Sequence, residues 1–230
     1  MLRQSLLTAA LALVFGFLGA GLFSWTGMAN SQTRAYLLEN PEILPEMADA
    51  WQRQEGERKL ASVTDTVSEP FPGAVLGNPN GSKVLVEFAD YNCGYCKQSQ
   101  EDVARLLDSD PELKIVIREW PIFQGSEMAS RMALAAAKQG KYAEFHEVMY
   151  RLAPATPETI NQAAREVGLD MEQAQVDGAA PDVDRELASN YALAQQLGFS
   201  GTPSWVTSNK VFEGAVGFGA LRKAIDSAGE

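Results

Sequence analysis

The segment from Lys83 to Trp120 constrains the fold most, because it holds two short apolar runs with an amphipathic stretch between them. The runs VLVEFA and LKIVIREW are rich in strand formers, which predicts two strands buried on both faces. The stretch KQSQEDVARLLDSD between them has apolar residues at helical spacing. The order strand, helix, strand predicts a βαβ unit.

The chain of 230 residues has only two cysteines, and both lie at the start of this predicted helix. A structural zinc site needs four ligands. Because Cys93 and Cys96 have only one histidine, His146, to accompany them, the sequence predicts no metal site and no other cofactor. A disulfide that closes so short a loop restrains the unfolded chain very little. Redox chemistry is therefore the favoured interpretation of the pair, and we expect His146 to be an ordinary helix histidine.

The helix N-terminus predicts different roles for the two thiols. Unsatisfied backbone N–H groups and the positive end of the helix dipole favour the thiolate at Cys93, which is predicted to be an exposed nucleophile. A fall of its pKa from about 8.5 to roughly 6 would correspond to on the order of 3 kcal/mol. Cys96, one turn further along, is predicted to resolve the mixed disulfide that Cys93 forms with a client protein.

Glu87 is the one charged residue inside the first predicted strand. Burial of a carboxylate is costly and favours its protonated form. A carboxyl group tuned in this way would accept and return the proton of Cys96. Two alternatives stay open from the sequence: Glu87 lies near the strand edge, or it pairs with a basic residue such as Lys114.

The segment GTPSWV places Pro203 at the start of another predicted strand, where proline normally interrupts the ladder. A cis peptide bond between Thr202 and Pro203 would explain this position. Residues Ser208 and Asn209 are the predicted turn of a hairpin that follows.

The first 29 residues have the composition of an export signal. Arg3 is the only charged residue before Arg34, and the run from Leu6 to Phe23 is almost entirely apolar. The sequence Gly27-Met28-Ala29 offers a cleavage site, and the length of the run also allows an uncleaved membrane anchor. Both alternatives place the rest of the chain in an oxidising compartment, where disulfide chemistry is possible.

Residues 30–66 are predicted to form a separate helical segment. Ile43, Met47 and Trp51 recur at helical spacing with Leu44 beside them, and together they form one apolar stripe. The segment has no obvious core of its own, so we interpret the stripe as an oligomerisation surface.

Residues 67–230 are predicted to form one α/β domain. Between about residues 122 and 199 the pattern is helical, which predicts a helical block inserted between two halves of a small sheet. The net charge of −11 argues against nucleic acid as a partner.

The segments EFADYNCGYC and GTPSWV resemble the active-site segment and the cis-proline loop of DsbA-like thiol–disulfide oxidoreductases in the thioredoxin superfamily. The resemblance covers roughly residues 74–228 and implies a thioredoxin fold with a helical insertion. It also implies a redox-active cysteine pair, a buried acid six residues before it, and a cis-proline loop against the first sulfur. The implied catalytic residues are Cys93, Cys96, Glu87, Thr202 and Pro203.

The segment RAYLLENPEILPEMADAWQRQ resembles the N-terminal segment of the ScsC group, named for suppression of copper sensitivity, in which this segment builds oligomers. The resemblance implies a periplasmic homo-oligomer, with a trimer as the expected state. It also implies exported cysteine-containing clients and a membrane redox partner that recycles the dithiol.

The residues between and around the cysteines point to one activity within this group. Gly94-Tyr95 and Thr202 resemble the disulfide isomerase DsbC rather than DsbA, which favours an isomerase or reductase. A DsbA-type dithiol oxidase is one alternative. Copper binding by the reduced pair is another, since thiolates suit Cu(I).

Overall fold

The domain that carries both cysteines is built around one mixed sheet of five strands, in the order β1-β3-β2-β4-β5. The computed structural model describes residues 2–25, 28–61 and 63–228. By its internal contacts the chain divides into two compact units after Trp51. The strands are β1 (Val75–Gly77), β2 (Lys83–Ala89), β3 (Leu113–Glu119), β4 (Ser204–Val206) and β5 (Val211–Glu213).

The central strand β2 runs parallel to β3, and helix α5 connects the two, which confirms the predicted βαβ unit. The pairs β1–β3, β2–β4 and β4–β5 are antiparallel. The thioredoxin fold with a helical insertion is therefore correct as predicted. The helices are α1 (Leu2–Trp25), α2 (Met28–Glu39), α3 (Leu44–Leu60), α4 (Thr64–Val67), α5 (Gly94–Ser109), α6 (Ser126–Lys138), α7 (Tyr142–Leu152), α8 (Pro157–Glu166), α9 (Met171–Gly178), α10 (Pro181–Leu197) and α11 (Phe218–Ala228).

Both faces of the sheet are covered, which explains why β2 and β3 read as continuous apolar runs. Leu85 and Ala89 belong to a buried cluster shared with α5, α6, α7, α8 and α11. Val86 and Phe88 point the other way, into a second cluster with the end of α3 and with α10. Because side chains alternate along a strand, each residue of β2 is assigned to one face by its position.

The core of this domain starts before residue 67. Leu60 and Val63 are 2% and 4% exposed and belong to the second cluster. Gly56 of α3 lies against the turn between β4 and β5, where an added Cβ would come within 2.6 Å of the Asn209 carbonyl oxygen. The end of α3 therefore packs as part of the thioredoxin domain, although the sequence pattern places it in the segment 30–66.

Arg118 of β3 lies on the face of the sheet opposite to Leu85 and binds the end of α4 and the segment that follows it. Its buried guanidinium donates hydrogen bonds to the carbonyl groups of Val67 and Glu69, at 3.1 and 2.5 Å. It also forms an ion pair with Glu186 of α10 at 2.9 Å. These contacts satisfy a charge that would be costly to bury alone.

The N-terminal unit contains α1, α2, a short 3₁₀ helix at Pro41–Ile43 and the first part of α3. The apolar stripe is largely solvent-facing here: Leu44, Met47 and Trp51 are 67%, 46% and 63% exposed. Ile43 is half-buried. An apolar surface of this kind is the expected property of an interaction site.

Among the residues that the structure describes, no helix combines the length and the apolar character needed to cross a membrane. The proposed cleavage site includes Gly27, which lies outside the described residues.

Candidate active site

The loop between β2 and α5 is shaped by Asp90, a buried residue that the sequence pattern did not single out. Its backbone carbonyl accepts a hydrogen bond from the Cys93 N–H at 3.1 Å, and its carboxylate accepts one from the Asn92 N–H at 2.7 Å. The carboxylate also accepts hydrogen bonds from the N–H groups of Ile122 and Phe123 at 2.7 and 2.9 Å. One carboxylate thus joins the loops that follow β2 and β3.

Cys93 occupies the N-cap position of α5 and lies against the loop that precedes β4. Its Sγ lies 3.0 Å from the carbonyl oxygen of Thr202, and the Thr202–Pro203 peptide bond is cis. The structure therefore brings together three of the residues named from the sequence. Cys93 is only 3% exposed, so the expectation of an exposed nucleophile is wrong. The reason is that the segment carrying Thr202 covers the sulfur.

The two cysteines are free thiols with opposite electrostatic properties. The Cys96 thiol, supported by the backbone N–H groups of Cys96 and Tyr95, stabilises the Cys93 thiolate and lowers the pKa of Cys93 to about 5. Cys96 is fully buried, and burial raises its pKa well above the usual range of a thiol. At neutral pH the pair therefore consists of one thiolate and one thiol.

Glu87 lies on the central strand and is fully buried. It shares the face of Leu85 and Ala89, which is the face of the cluster that contains the two cysteines. In the described part of the chain, neither carboxyl oxygen has a hydrogen-bond partner. Lys114 is paired in register with Val84 and so lies on the opposite face. Both alternatives that the sequence left open, a strand edge and an ion pair with Lys114, are therefore excluded.

Burial raises the pKa of Glu87 to about 8, and the negative charges of Glu119 and Cys93 act in the same direction. The carboxyl group is thus uncharged in a substantial fraction of molecules at neutral pH. Glu87 in turn raises the pKa of Cys96. The charge of Glu87 and the ionisation of Cys96 are therefore electrostatically linked.

A cluster of buried polar side chains beside the dithiol was not predicted from the sequence. Glu119 Oε1, at the end of β3, accepts a hydrogen bond from the Tyr142 hydroxyl at 2.7 Å and lies 3.0 Å from the Tyr91 hydroxyl oxygen. The Tyr91 hydroxyl also lies 3.0 Å from Nδ1 of His146, which is buried. The sequence signal that could have indicated this cluster was Glu119, an acid in the second apolar strand just as Glu87 is in the first.

A small depression of about 170 Å³ lies directly beside the nucleophile, with Cys93, Asn92 and Pro154 among its lining residues. The Asn92 side chain supports it by accepting a hydrogen bond from the Ala155 N–H at 2.8 Å and by donating one to the Gln124 carbonyl at 3.3 Å. The loop after α7 therefore forms part of the surface around the reactive sulfur.

A stabilised thiolate, a buried thiol and a buried carboxyl group are the components that thiol–disulfide exchange requires. The thiolate attacks a disulfide, and the second thiol can then displace the first. A buried acid that titrates near neutrality has the chemistry of a proton acceptor or donor at such a site.

Comparisons with known proteins agree with this chemistry. Residues 84–226 match the DSBA-like thioredoxin domain, and residues 33–58 match the N-terminal domain of the copper resistance protein ScsC. A thioredoxin-like oxidoreductase from Silicibacter pomeroyi DSS-3 is 47% identical, with a TM-score of 0.64 over 67% of this chain and 90% of that one.

Two further solved structures are similar over most of their length. The thiol–disulfide exchange protein α-DsbA2 from Wolbachia pipientis is 26% identical, with a TM-score of 0.69 over 76% of this chain and 96% of that one. ScsC from Proteus mirabilis in a compact conformation is 25% identical, with a TM-score of 0.61 over 83% of this chain and 99% of that one.

Among curated proteins, a Na⁺/H⁺ antiporter NhaA of Salinispora tropica is 27% identical over 164 residues, which are 70% of this chain and 25% of the antiporter. The chain thus spans about a quarter of the length of the curated relatives that it matches. The DSBA-like match covers more than half of the 230 residues. The chain belongs to the DsbA-like thioredoxin domain family, and its N-terminal segment matches the N-terminal domain of ScsC.

Proposed function

We propose that the protein is a periplasmic disulfide isomerase and reductase that acts on exported cysteine-containing proteins. The observation that carries the proposal is the contrast between the Cys93 thiolate, with its pKa of about 5, and the buried thiol of Cys96 beside Glu87. A thiol with a low pKa is also a good leaving group, so mixed disulfides that form at Cys93 are released readily. Rapid release is what isomerisation requires.

The reaction starts when the Cys93 thiolate attacks one sulfur of a client disulfide. A bond forms between Cys93 Sγ and that sulfur, the client's S–S bond breaks, and its second sulfur leaves as a thiolate. In isomerisation a client thiolate then attacks the client sulfur that is bonded to Cys93. A new disulfide forms within the client, and Cys93 leaves as a thiolate with no net change in oxidation state.

The same mixed disulfide can be resolved by reduction. Cys96 gives its proton to Glu87, and the resulting thiolate attacks Cys93 Sγ. A Cys93–Cys96 disulfide forms, the client sulfur leaves as a thiolate and takes up a proton, and two electrons have passed from the enzyme to the client. A membrane redox partner would then return the enzyme to its dithiol form.

Substitution of Glu87 by Gln is expected to slow the release of mixed disulfides by on the order of a hundredfold, because Cys96 loses its proton acceptor. Stopped-flow measurement of the resolution of a preformed mixed disulfide between pH 6 and 8 tests this step. The matched control is Glu101→Gln, which removes an exposed carboxyl group from α5. Unchanged turnover in Glu87→Gln across this range would show that Glu87 is structural.

A dithiol oxidase is the second candidate, because stabilisation of the Cys93 thiolate also makes the Cys93–Cys96 disulfide a stronger oxidant. The two candidates differ in the substrate that they process fastest. Refolding of scrambled ribonuclease measures isomerisation, and oxidation of reduced ribonuclease measures the oxidase activity. Faster oxidation than isomerisation by the full-length protein would favour the second candidate.

A loss of isomerisation on addition of Cu(I) would indicate that the same thiol pair binds copper.

The exposed apolar stripe of Ile43, Leu44, Met47 and Trp51 is proposed as the surface that assembles a homo-oligomer, with a trimer as the expected state. Several dithiols held in one assembly raise the local thiol concentration around a misfolded client. An assembly also restricts access of an oxidising partner to each dithiol. The match of residues 33–58 to the ScsC N-terminal domain supports this interpretation.

Removal of residues 30–51 is expected to give a monomer in which ribonuclease isomerisation falls by about tenfold or more, since the multivalent contribution is lost. Deletion to residue 66 would also remove Leu60 and Val63 from the core. Light scattering and the scrambled-ribonuclease assay measure both effects. In the full-length chain, Trp51→Lys should reproduce them, whereas Val176→Lys, at an exposed apolar residue of α9, should not. A full-length monomer with high isomerase activity would contradict the proposal.

A further inference from the structure

Glu119 is a second buried carboxyl group on the same face of the sheet as Glu87. The register pairs Glu87 with Ile117 and Ala89 with Glu119, so the two acids lie on adjacent parallel strands, two positions apart. Strand spacing and rise place their Cα atoms about 8 Å apart. Two carboxylates this close in a buried environment disfavour simultaneous ionisation.

The hydroxyl group of Tyr91 connects Glu119 to His146, but it has only one hydrogen to donate. Its oxygen lies 3.0 Å from Glu119 Oε1 and 3.0 Å from His146 Nδ1. If Tyr91 donates to Glu119, then His146 has to donate to Tyr91. If Tyr91 donates to His146, then Glu119 has to supply a proton of its own. The residue to which Tyr91 donates its hydrogen thus determines whether Glu119 is protonated.

Gln100 decides between the two directions. Its Nε2 donates a hydrogen bond to the Cys96 carbonyl at 3.3 Å, which leaves its Oε1 to face His146 Nε2 at 3.2 Å. An oxygen acceptor at this place requires a proton on Nε2. Burial lowers the pKa of His146 to about 3, so the ring is neutral and its Nδ1 is an acceptor. Tyr91 therefore donates to His146, and Glu119 is left to hold a proton.

The other groups around Glu119 leave this assignment intact. The titratable and charged groups that face it are Glu87 on β2, Asp90 and Tyr91 in the following loop, and Tyr142, His146 and Tyr150 on α7. Arg118 lies on the opposite face and pairs with Glu186. In the described part of the chain, the side-chain partners of Glu119 are the hydroxyl groups of Tyr142, Tyr91 and Ser130, and none of them is a cation. Burial raises the pKa of Glu119 to about 7.

We propose that His146, acting through Tyr91, is a positioning residue that keeps Glu119 uncharged and so allows Glu87 to ionise and accept the proton of Cys96. This proposal rests on the role proposed for Glu87. The electrostatic link is direct, because the charge of Glu119 is the second-largest cause of the raised pKa of Glu87. When Glu119 is neutral that contribution vanishes, and the Glu87 carboxylate forms at lower pH.

Two substitutions are expected to differ in their effect on the pH profile of mixed-disulfide resolution. In His146→Leu, Tyr91 loses its acceptor and donates to Glu119 instead, which stabilises the carboxylate there. The profile should move to higher pH by about one unit, equivalent to a tenfold lower rate at a fixed pH on its rising limb. In Glu119→Gln the amide group mimics the protonated acid that the native protein holds, so the profile should stay close to that of the native sequence.

The double variant His146→Leu/Glu119→Gln decides the mechanism, because it should show the profile of Glu119→Gln alone and so abolish the shift caused by His146→Leu. If the shift in His146→Leu came from damaged packing instead, it would persist in the double variant. Glu144→Gln, at an exposed position of α7, serves as a control that should not move the profile. A profile in His146→Leu that stays in place or moves to lower pH would overturn the proposal, while Glu87→Gln separately tests the role of Glu87.

Infrared spectroscopy provides a measurement that does not depend on the His146 variant folding. At pH 6 the reduced full-length protein should show a carboxylic acid carbonyl band that Glu119→Gln removes. If the substitution removes only a carboxylate band, Glu119 is ionised in the native protein and the proposal is wrong.

Discussion

At pH 6, a limiting amount of an alkylating agent is expected to label Cys93 and to leave Cys96 unmodified. The pKa of about 5 makes Cys93 mainly a thiolate at this pH, whereas burial holds Cys96 in its thiol form. The labelling ratio should be on the order of a hundredfold or more, since the reactive fraction of a thiol falls tenfold for each pH unit below its pKa. Mass spectrometry of the separated peptides measures this ratio.

The same assignment predicts how the two cysteine variants behave. Cys96→Ala should accumulate mixed disulfides with client proteins, because the thiol that resolves them is absent. Cys93→Ala is the matched control and should accumulate none. Equal labelling of the two thiols, or trapping by Cys93→Ala instead, would reverse the roles of nucleophile and resolving residue.

Glu87→Gln is expected to make the stability of the protein less dependent on pH. The pKa of this carboxyl group rises from an ordinary value of 4.5 to about 8 in the folded protein, so the folded state binds the proton more tightly. The free energy of unfolding of the native sequence should therefore fall as the pH rises from about 4.5 to about 8. The accumulated loss at pH 8 is roughly 4 kcal/mol by linkage.

Urea unfolding at pH 4 and pH 8 measures this effect as a difference between two conditions. Any pH-independent cost of burying an amide group at position 87 cancels in that difference. The exposed carboxyl of Glu101 is the control, and Glu101→Gln should retain the pH dependence of the native sequence. An identical pH dependence in Glu87→Gln and the native sequence would mean that Glu87 titrates normally.

The fold was predictable because its strongest signals are local. The apolar runs of β2 and β3, the helical spacing of α5 and the proline before β4 each lie within a few residues. Spacing and pattern therefore led to the βαβ unit with Cys93 and Cys96 at the start of its helix. The resemblance to DsbA-like proteins then implied the thioredoxin fold and the loop of Thr202 and Pro203 beside Cys93.

The polar cluster was not predictable because it depends on contacts between distant parts of the chain. Tyr91 and His146 are 55 positions apart, and only the packing of α7 against the loop after β2 brings them together. For the same reason the sequence pattern around His146 indicated an ordinary helix residue. The burial of Cys93 was missed because Thr202, 109 positions away, covers its sulfur.

The hydrogen bonds of Asp90 have a mechanical consequence for the two loops that they join. Its carboxylate holds the backbone of Asn92, next to the nucleophile, and that of Ile122 and Phe123, whose side chains are 39% and 47% exposed. A movement of Ile122 and Phe123 is passed on through the Asp90 carboxylate to the backbone next to the reactive sulfur. The loop after β3 and the backbone next to Cys93 therefore share one support, so a displacement of either loop changes the position of the other.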